Sequence, residues 1–70
     1  MSVASISTIT SASPVGWQDA VERGFERAKR TLRGITGLHV LEEKARVKDG
    51  EITEFLVTMQ VVFVLEDDAH

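Results

Sequence analysis

The chain has 70 residues, and its eight basic and eleven acidic side chains give a formal net charge of −3. So short a chain usually needs disulfides, a metal or partner subunits to complete its core. It contains no cysteine, which excludes disulfides and thiolate chemistry. The acidic balance argues against nucleic acid or an anionic membrane as the main partner, and no apolar run reaches the roughly 18 residues of a membrane helix. Since the N-terminal segment also lacks the features of a signal peptide, we expect one cytoplasmic domain that is stabilised by other subunits.

The first half of the sequence predicts a strand followed by a helix. Residues 3–9 are rich in β-branched side chains with partial alternation, which indicates a short strand. The Ser- and Pro-containing segment that follows is typical of a loop. Apolar residues then recur at three- and four-residue steps, predicting an amphipathic helix over residues 17–33 with Gly16 at its cap. Gly24 lies within the apolar stripe, which indicates close packing of the helix backbone on a sheet.

The second half predicts a long β-hairpin. Residues 38–48 and 51–65 have strand character, and the Asp49-Gly50 pair between them favours a two-residue turn. Regular pairing outward from this turn makes every pair of partners sum to 99. One face is then apolar and forms the expected floor for the helix: Phe55, Val57, Met59, Val61, Phe63 and Leu65, with Leu38 and Val40 beside them. The predicted fold is α+β, a single β-α-β-β domain over residues 1–70 with a frayed acidic tail at 66–70.

The opposite face of the hairpin is half apolar, although an exposed sheet face is usually polar. Regular alternation assigns to it Gly37, His39, Leu41, Glu43, Ala45, Val47, Ile52, Leu56, Thr58, Gln60, Val62 and Val64. A strand of about fourteen residues spans roughly 46 Å, whereas a helix over residues 17–33 covers about 25 Å. One helix cannot cover such a ribbon, so we expect obligate homo-oligomerisation.

The order of these motifs resembles that of the dodecin family. The resemblance rests on the Ser/Thr-rich first strand, the helix start over residues 11–20, the helix body over 27–35, the Asp-Gly hairpin and the last strand over 55–67. It implies a three-stranded antiparallel sheet with one helix packed on it, assembled into a hollow homododecamer. It also implies binding of flavins such as riboflavin or FMN, stored or sequestered as stacked pairs between subunits.

The resemblance further implies a ligand site on the second and last strands. Flavin-binding dodecins have a stacking Trp where this chain has Gly37, and a hydrogen-bonding Gln where it has Leu56. The family's polar and acidic positions match Gln60 and Glu42. His39 and Thr58 complete the set of candidate ligand contacts, although His39 also suits a subunit contact. A calcium-binding subgroup exists among similar chains, so the resemblance leaves the bound metal open.

Other candidate residues have structural explanations. Trp17 is in register with the apolar stripe, so we expect core packing or a subunit contact. The stripe of Arg23, Arg27 and Arg30 alternates with carboxylates at i,i+4 spacing, which is typical of a solvated face. The acidic runs at 42–43 and 66–68 have no EF-hand spacing, and a zinc pattern is missing from the sequence.

The sequence has no nucleophile elbow, P-loop or dinucleotide fingerprint, so an enzyme is not expected. Two hypotheses remain. The first is a shell that binds and stores a small planar ligand such as a flavin. The second is a structural dodecamer that has lost its flavin site and binds no flavin, with a metal or another small ligand in its place.

Overall fold

A computed structural model describes residues 3–65. It contains strand β1 (Val3–Ser13), helix α1 (Trp17–Lys29), strand β2 (Ile35–Lys48) and strand β3 (Glu51–Leu65). The strands form one antiparallel sheet in the order β1-β3-β2, so the predicted β-α-β-β fold is confirmed. The predicted acidic tail at 66–70 lies outside the described residues.

Strand β1 is longer than predicted, because it continues from Ile9 through Ser13 into the segment that was expected to be a loop. Thr10–Ser13 pair with Thr58–Phe55 of β3. The exposure of β1 alternates residue by residue, with the small Ser11 and Ser13 on the side of α1. Small side chains here leave room for the helix, which explains why this stretch resembles a loop in composition.

Helix α1 begins at Trp17 after Gly16, as expected, but it ends at Lys29 rather than at residue 33. The amide of Thr31 donates to the carbonyl of Ala28 at 3.1 Å, an i→i−3 bond that tightens the last turn. Gly34 then has a φ of 73°, a conformation that glycine adopts without strain. The chain therefore turns early, and β2 begins at Ile35 instead of residue 38.

The turn between β2 and β3 is formed as predicted, since Asp49 and Gly50 have φ values of 53° and 78°, as a type I′ turn requires. The predicted register, in which partners sum to 99, holds for residues 47–48 and 37–40 of β2 but is wrong for residues 42–46, which pair one residue further along β3, and for Ile35. Three residues, Thr36, Leu41 and Thr53, have no partner in the ladder, which shifts there. Each extra residue is a β-bulge, which changes the face onto which the following side chains project.

Because of the bulges, several residues of the hairpin lie on a different face of the sheet from the one predicted. We call the side of the sheet that faces α1 the proximal face and the other side the distal face. Because directly paired residues share a face, the register moves four residues from the distal to the proximal face and puts three others on the distal face. The residues moved to the proximal face are Glu43, Ala45, Val47 and Ile52, and those placed on the distal face are Glu42, Lys44 and Arg46.

The core lies between α1 and the central strand. Ala20, Val57 and Met59 are fully buried, with Ile9, Trp17 and Val21 packed against them. A Cβ atom on Gly24 would lie 2.3 Å from Cε of Met59 and 3.1 Å from Cβ of Ser11. The predicted close approach of the helix backbone to the sheet is thus confirmed.

Helix α1 packs on β1 and β3 and leaves β2 largely uncovered. Leu38 and Val40, which we expected beneath the helix, are 38% and 40% exposed on the proximal face. The molecule measures 60 × 19 × 13 Å, while a helix of 13 residues is only about 20 Å long. The end of the hairpin therefore projects well beyond the helix.

Candidate ligand-binding face

The distal face is built from rows of three side chains, one from each strand. Rows run from β1 through β3 to β2, as the two registers dictate. From one end to the other the rows are Ile6–Val62–Gly37, Thr8–Gln60–His39, Thr10–Thr58–Glu42 and Ala12–Leu56–Lys44. All six predicted site residues, Gly37, His39, Glu42, Leu56, Thr58 and Gln60, therefore occur on this face.

Hydrogen bonds connect neighbours within the two middle rows. Nδ1 of His39 lies 3.3 Å from Oε1 of Gln60, and Thr10 and Thr58 share a hydroxyl–hydroxyl bond of 3.1 Å. A neutral imidazole with its proton on Nδ1 donates to Oε1 of Gln60, which only accepts, and then presents Nε2 as an acceptor. The rows thus present both donors and acceptors at one exposed surface.

Glu42 lies on the distal face because of the bulge at Leu41. Regular alternation would have put its neighbour Glu43 there instead, but the shifted register pairs Glu42 with Thr58. Nζ of Lys44 lies 3.8 Å from Oε1 of Glu42, at side chains that are both more than half exposed. A pair this exposed contributes little to stability, so both charges are available to a ligand.

The two positions that depart from the flavin-binding pattern differ in their surroundings. At Gly37, a Cβ atom would meet nothing within 4 Å, so the backbone of β2 is open on the distal face. Leu56 is only 8% exposed and lies between Ala12 and Lys44 in its row. Gly37 therefore leaves space for a ligand, whereas Leu56 offers it little accessible surface.

Besides Ala12, three residues of this face come from β1 and were not predicted as site residues: Ile6, Thr8 and Thr10. Their alternation with Ser5, Ser7 and Ile9 is visible in the sequence, but alternation alone does not tell which strand β1 joins. Only the order β1-β3-β2 brings their side chains beside Val62, Gln60 and Thr58.

Trp17 lies away from the distal face, as expected. Its ring meets the edge of Phe55 with centroids 4.9 Å apart, and its Nε1 donates to the carbonyl of Lys44 at 3.0 Å. These contacts fasten the start of α1 to the proximal side of the hairpin, so Trp17 has a structural role.

At the start of the helix, hydrogen bonds and a nearby charge shift the pKa of Asp19. Ser13 donates a hydrogen bond of 2.6 Å to Asp19 and accepts one from the amide of Val15. The hydrogen bond from Ser13 and the guanidinium of Arg23, 2.5 Å from the carboxylate, lower the pKa of Asp19 below its ordinary value of 3.8. Arg23 is thereby neutralised within the helix, as the i,i+4 spacing predicted.

Within residues 3–65, no group of three or more His, Asp or Glu side chains is arranged to hold a metal ion. Residues 66–68, the other acidic run considered, lie beyond the described part. The described portion also contains no helix of the length and apolar character needed to cross a membrane.

Comparison with known proteins agrees with this geometry. The sequence matches the dodecin family over residues 3–66, and the chain therefore belongs to that family. No curated protein sequence is significantly similar to it. Dodecins are non-enzymatic binding proteins that form homododecamers.

Solved dodecin structures have the same fold. The dodecin from Streptomyces davaonensis is 32% identical, with a TM-score of 0.89 over 94% of this chain and 97% of that one. The dodecin from Streptomyces coelicolor is 25% identical, with a TM-score of 0.90 over 96% of each chain. The calcium dodecin of Mycobacterium tuberculosis, described as calcium chelating with a novel calcium-binding site, is 23% identical. Its TM-score is 0.79 over 97% of each chain, and at this identity the similarity concerns the fold alone.

Proposed function

We propose that the chain assembles into a hollow homododecamer that binds and sequesters a small planar ligand on the distal face, with riboflavin or FMN as the first candidates. The observation that carries this proposal is the hydrogen-bonded pair of His39 and Gln60 beside the open backbone of Gly37. A flat ring could lie over that backbone while its polar edge exchanges hydrogen bonds with the pair. The absence of catalytic activity and the cytoplasmic location stay predictions.

Because position 37 has no aromatic side chain, we expect a lower affinity for flavin. A stacked aromatic pair is worth about 0.5–1.5 kcal/mol beyond the area that it buries, which corresponds to roughly two- to tenfold in the dissociation constant. Without it, the ligand depends on the apolar border formed by Ile6 and Val62 and on the polar rows. We expect flavin binding that is weaker than in chains with Trp at position 37, but measurable.

The test is quenching of riboflavin fluorescence by purified protein, with native mass spectrometry to count the chains. We expect twelve chains and quenching at micromolar protein, and Gly37→Trp should strengthen the binding roughly two- to tenfold. Gly37→Ala is the matched control, because it adds a Cβ into the same open space without an aromatic ring. Intact dodecamers that quench nothing at tens of micromolar would contradict flavin binding.

A second candidate is a structural shell whose flavin site has been lost, and the burial of Leu56 favours it. Leu56 is 8% exposed and has no polar side-chain atom, so it cannot supply the hydrogen bond that a glutamine would give to the polar edge of a flavin. On this hypothesis the natural chain binds no flavin, and Gly37→Trp combined with Leu56→Gln creates binding. If the double variant assembles and still binds nothing, neither version of the flavin pocket is correct. Titration with calcium, followed by native mass spectrometry, tests the metal alternative.

A further inference from the structure

The third row of the distal face, Thr10–Thr58–Glu42, is made entirely of polar side chains. Each of the three carries oxygen, and the two registers hold them side by side across the sheet. The proposed ring site around Gly37 and Gln60 makes no use of them. The row therefore has a capacity for hydrogen bonding that the proposed function leaves unassigned.

Thr10 and Thr58 are joined by an exposed hydrogen bond of 3.1 Å between their hydroxyl groups, and we call them the hydroxyl pair. Each hydroxyl has one proton to donate and two lone pairs that accept. Their mutual bond uses one proton, so the pair retains the other proton and spare lone pairs for a ligand. Because the bond also fixes the two oxygens relative to each other, the pair presents a donor and acceptors that are already arranged.

Glu42 determines which ligand groups suit this row. Its side chain is 57% exposed, and an ionised carboxylate only accepts hydrogen bonds. An anionic ligand group over the row would be repelled by this carboxylate. An apolar group would remove the hydroxyl pair from water without giving it partners. The row therefore favours a neutral ligand group with several hydroxyls, because such a group both donates and accepts.

The row also lies at a suitable distance from the open backbone of Gly37. Val62, the partner of Gly37, is separated from Thr58 by roughly 13 Å along β3, and Gln60 lies halfway between them. A flat ring system placed across the three strands at Gly37 has one long edge facing Gln60. In riboflavin and FMN the ribityl chain, a polyol, leaves the ring system from a long edge. In this orientation the chain runs past Gln60 to the third row.

We propose that the hydroxyl pair, together with Glu42, binds a polyol chain of the ligand, and that Thr10 is a specificity-determining residue of the site. This inference rests on the proposed function, because it requires a ring at Gly37. It narrows the ligand class to planar rings that carry a neutral polyol chain, in preference to bare rings. Since Thr10 belongs to β1, it also makes the first strand part of the binding site.

A purely structural role of the hydroxyl pair leads to a different expectation. Cross-strand threonine pairs stabilise antiparallel sheets, and the loss of such stabilisation would affect the binding of every ligand alike. Contact between the hydroxyl pair and a polyol chain affects only the ligands that carry the chain. The ratio of the affinities for two ligands, one with the chain and one without it, therefore distinguishes the two roles.

The first test compares riboflavin with lumiflavin, which has the same ring system with a methyl group in place of the ribityl chain. Quenching of flavin fluorescence by the unchanged protein gives both dissociation constants. We expect riboflavin to bind about tenfold more tightly, because each net hydrogen bond to the chain contributes roughly two- to tenfold. Equal affinities would overturn the inference and leave the proposed function intact. If neither flavin binds, the proposed function is wrong and the inference fails with it.

The second test changes the hydroxyl pair itself. Thr10→Val keeps a β-branched side chain but lacks the hydroxyl, so it should weaken riboflavin binding roughly two- to tenfold and leave lumiflavin binding unchanged. Thr10→Ser is the control, because it keeps the hydroxyl and should retain most of the preference for riboflavin. Thr58→Val is a second variant with the same expected change. If both valine variants assemble in native mass spectrometry and keep the full preference, the inference is wrong.

Discussion

Gly24 shows how one residue sets the distance between α1 and the sheet. The space that a side chain would need at this position is filled by Cε of Met59 and by Ser11. Met59 is fully buried, so its terminal methyl group has little room to move. The sequence indicated this packing, since a glycine inside an apolar stripe has no other simple explanation, but it did not identify Met59 and Ser11 as the neighbours.

We expect Gly24→Ala to destabilise the protein by about 1 kcal/mol. Overpacking a tight core costs about 1–3 kcal/mol, and the higher helix propensity of alanine offsets about 1 kcal/mol of it. The measurement is urea unfolding at one fixed protein concentration. Gly37→Ala is the control and should change the free energy of unfolding by less than about 0.5 kcal/mol, because its Cβ meets nothing. Equal effects of the two substitutions would contradict the packing argument.

The boundaries of the elements were harder to predict than the elements themselves. The Asp-Gly turn fixed the hairpin, and apolar periodicity fixed α1 and its start. Helix α1 ends early because of the tight turn after Ala28 and the positive φ of Gly34. The spacing of apolar residues does not indicate either feature. The bulges at Leu41 and Thr53 were also hidden, because a β-branched or apolar residue suits a regular strand equally well. For this reason alternation put Glu43 on the distal face, and only the family resemblance selected Glu42.

The start of α1 should contribute a pH-dependent stability. Folding lowers the pKa of Asp19 through Ser13 and Arg23, so the folded state binds fewer protons than the unfolded state. The contribution is complete above the unfolded value near 3.8 and is lost as the pH falls through the lower pKa of the folded state. Asp19→Asn should therefore destabilise the protein at pH 7, and the difference from the unchanged chain should shrink below about pH 4.

Urea unfolding of both proteins between pH 3 and pH 7 would measure this. Ser13→Ala removes the largest cause of the shift, so it should reduce the pH dependence while leaving the carboxylate in place. A constant difference between Asp19→Asn and the unchanged chain over the whole range would show that the carboxylate does not act through its charge.

As a whole, the described chain is extended rather than compact, so we expect its stability to depend on other subunits. Its radius of gyration is 14.9 Å, whereas a compact domain of this length has about 11 Å. Leu38, Val40, Val47 and Ile52 form an exposed apolar strip along the proximal face. The sequence already indicated that the β2–β3 hairpin is much longer than helix α1, and oligomerisation was predicted from this difference. The surfaces that meet could not, because they depend on which strand α1 covers.

We expect the thermal midpoint of unfolding to rise with protein concentration, because unfolding also separates the subunits. Differential scanning calorimetry over a hundredfold concentration range would measure the rise. A monomer stabilised only by its own core would give a constant midpoint. A constant midpoint accompanied by a single-chain mass would contradict the interpretation of the exposed strip.

The open space at Gly37 has a consequence for how binding could change over time. A Cβ atom there would meet nothing within 4 Å, so the strand has open space where a longer side chain would begin. The glycine codon GGG and the tryptophan codon TGG differ by one base. A lineage with this scaffold could therefore lose a stacking ring in a single mutational step, and from the codon GGG it could regain the ring in one step.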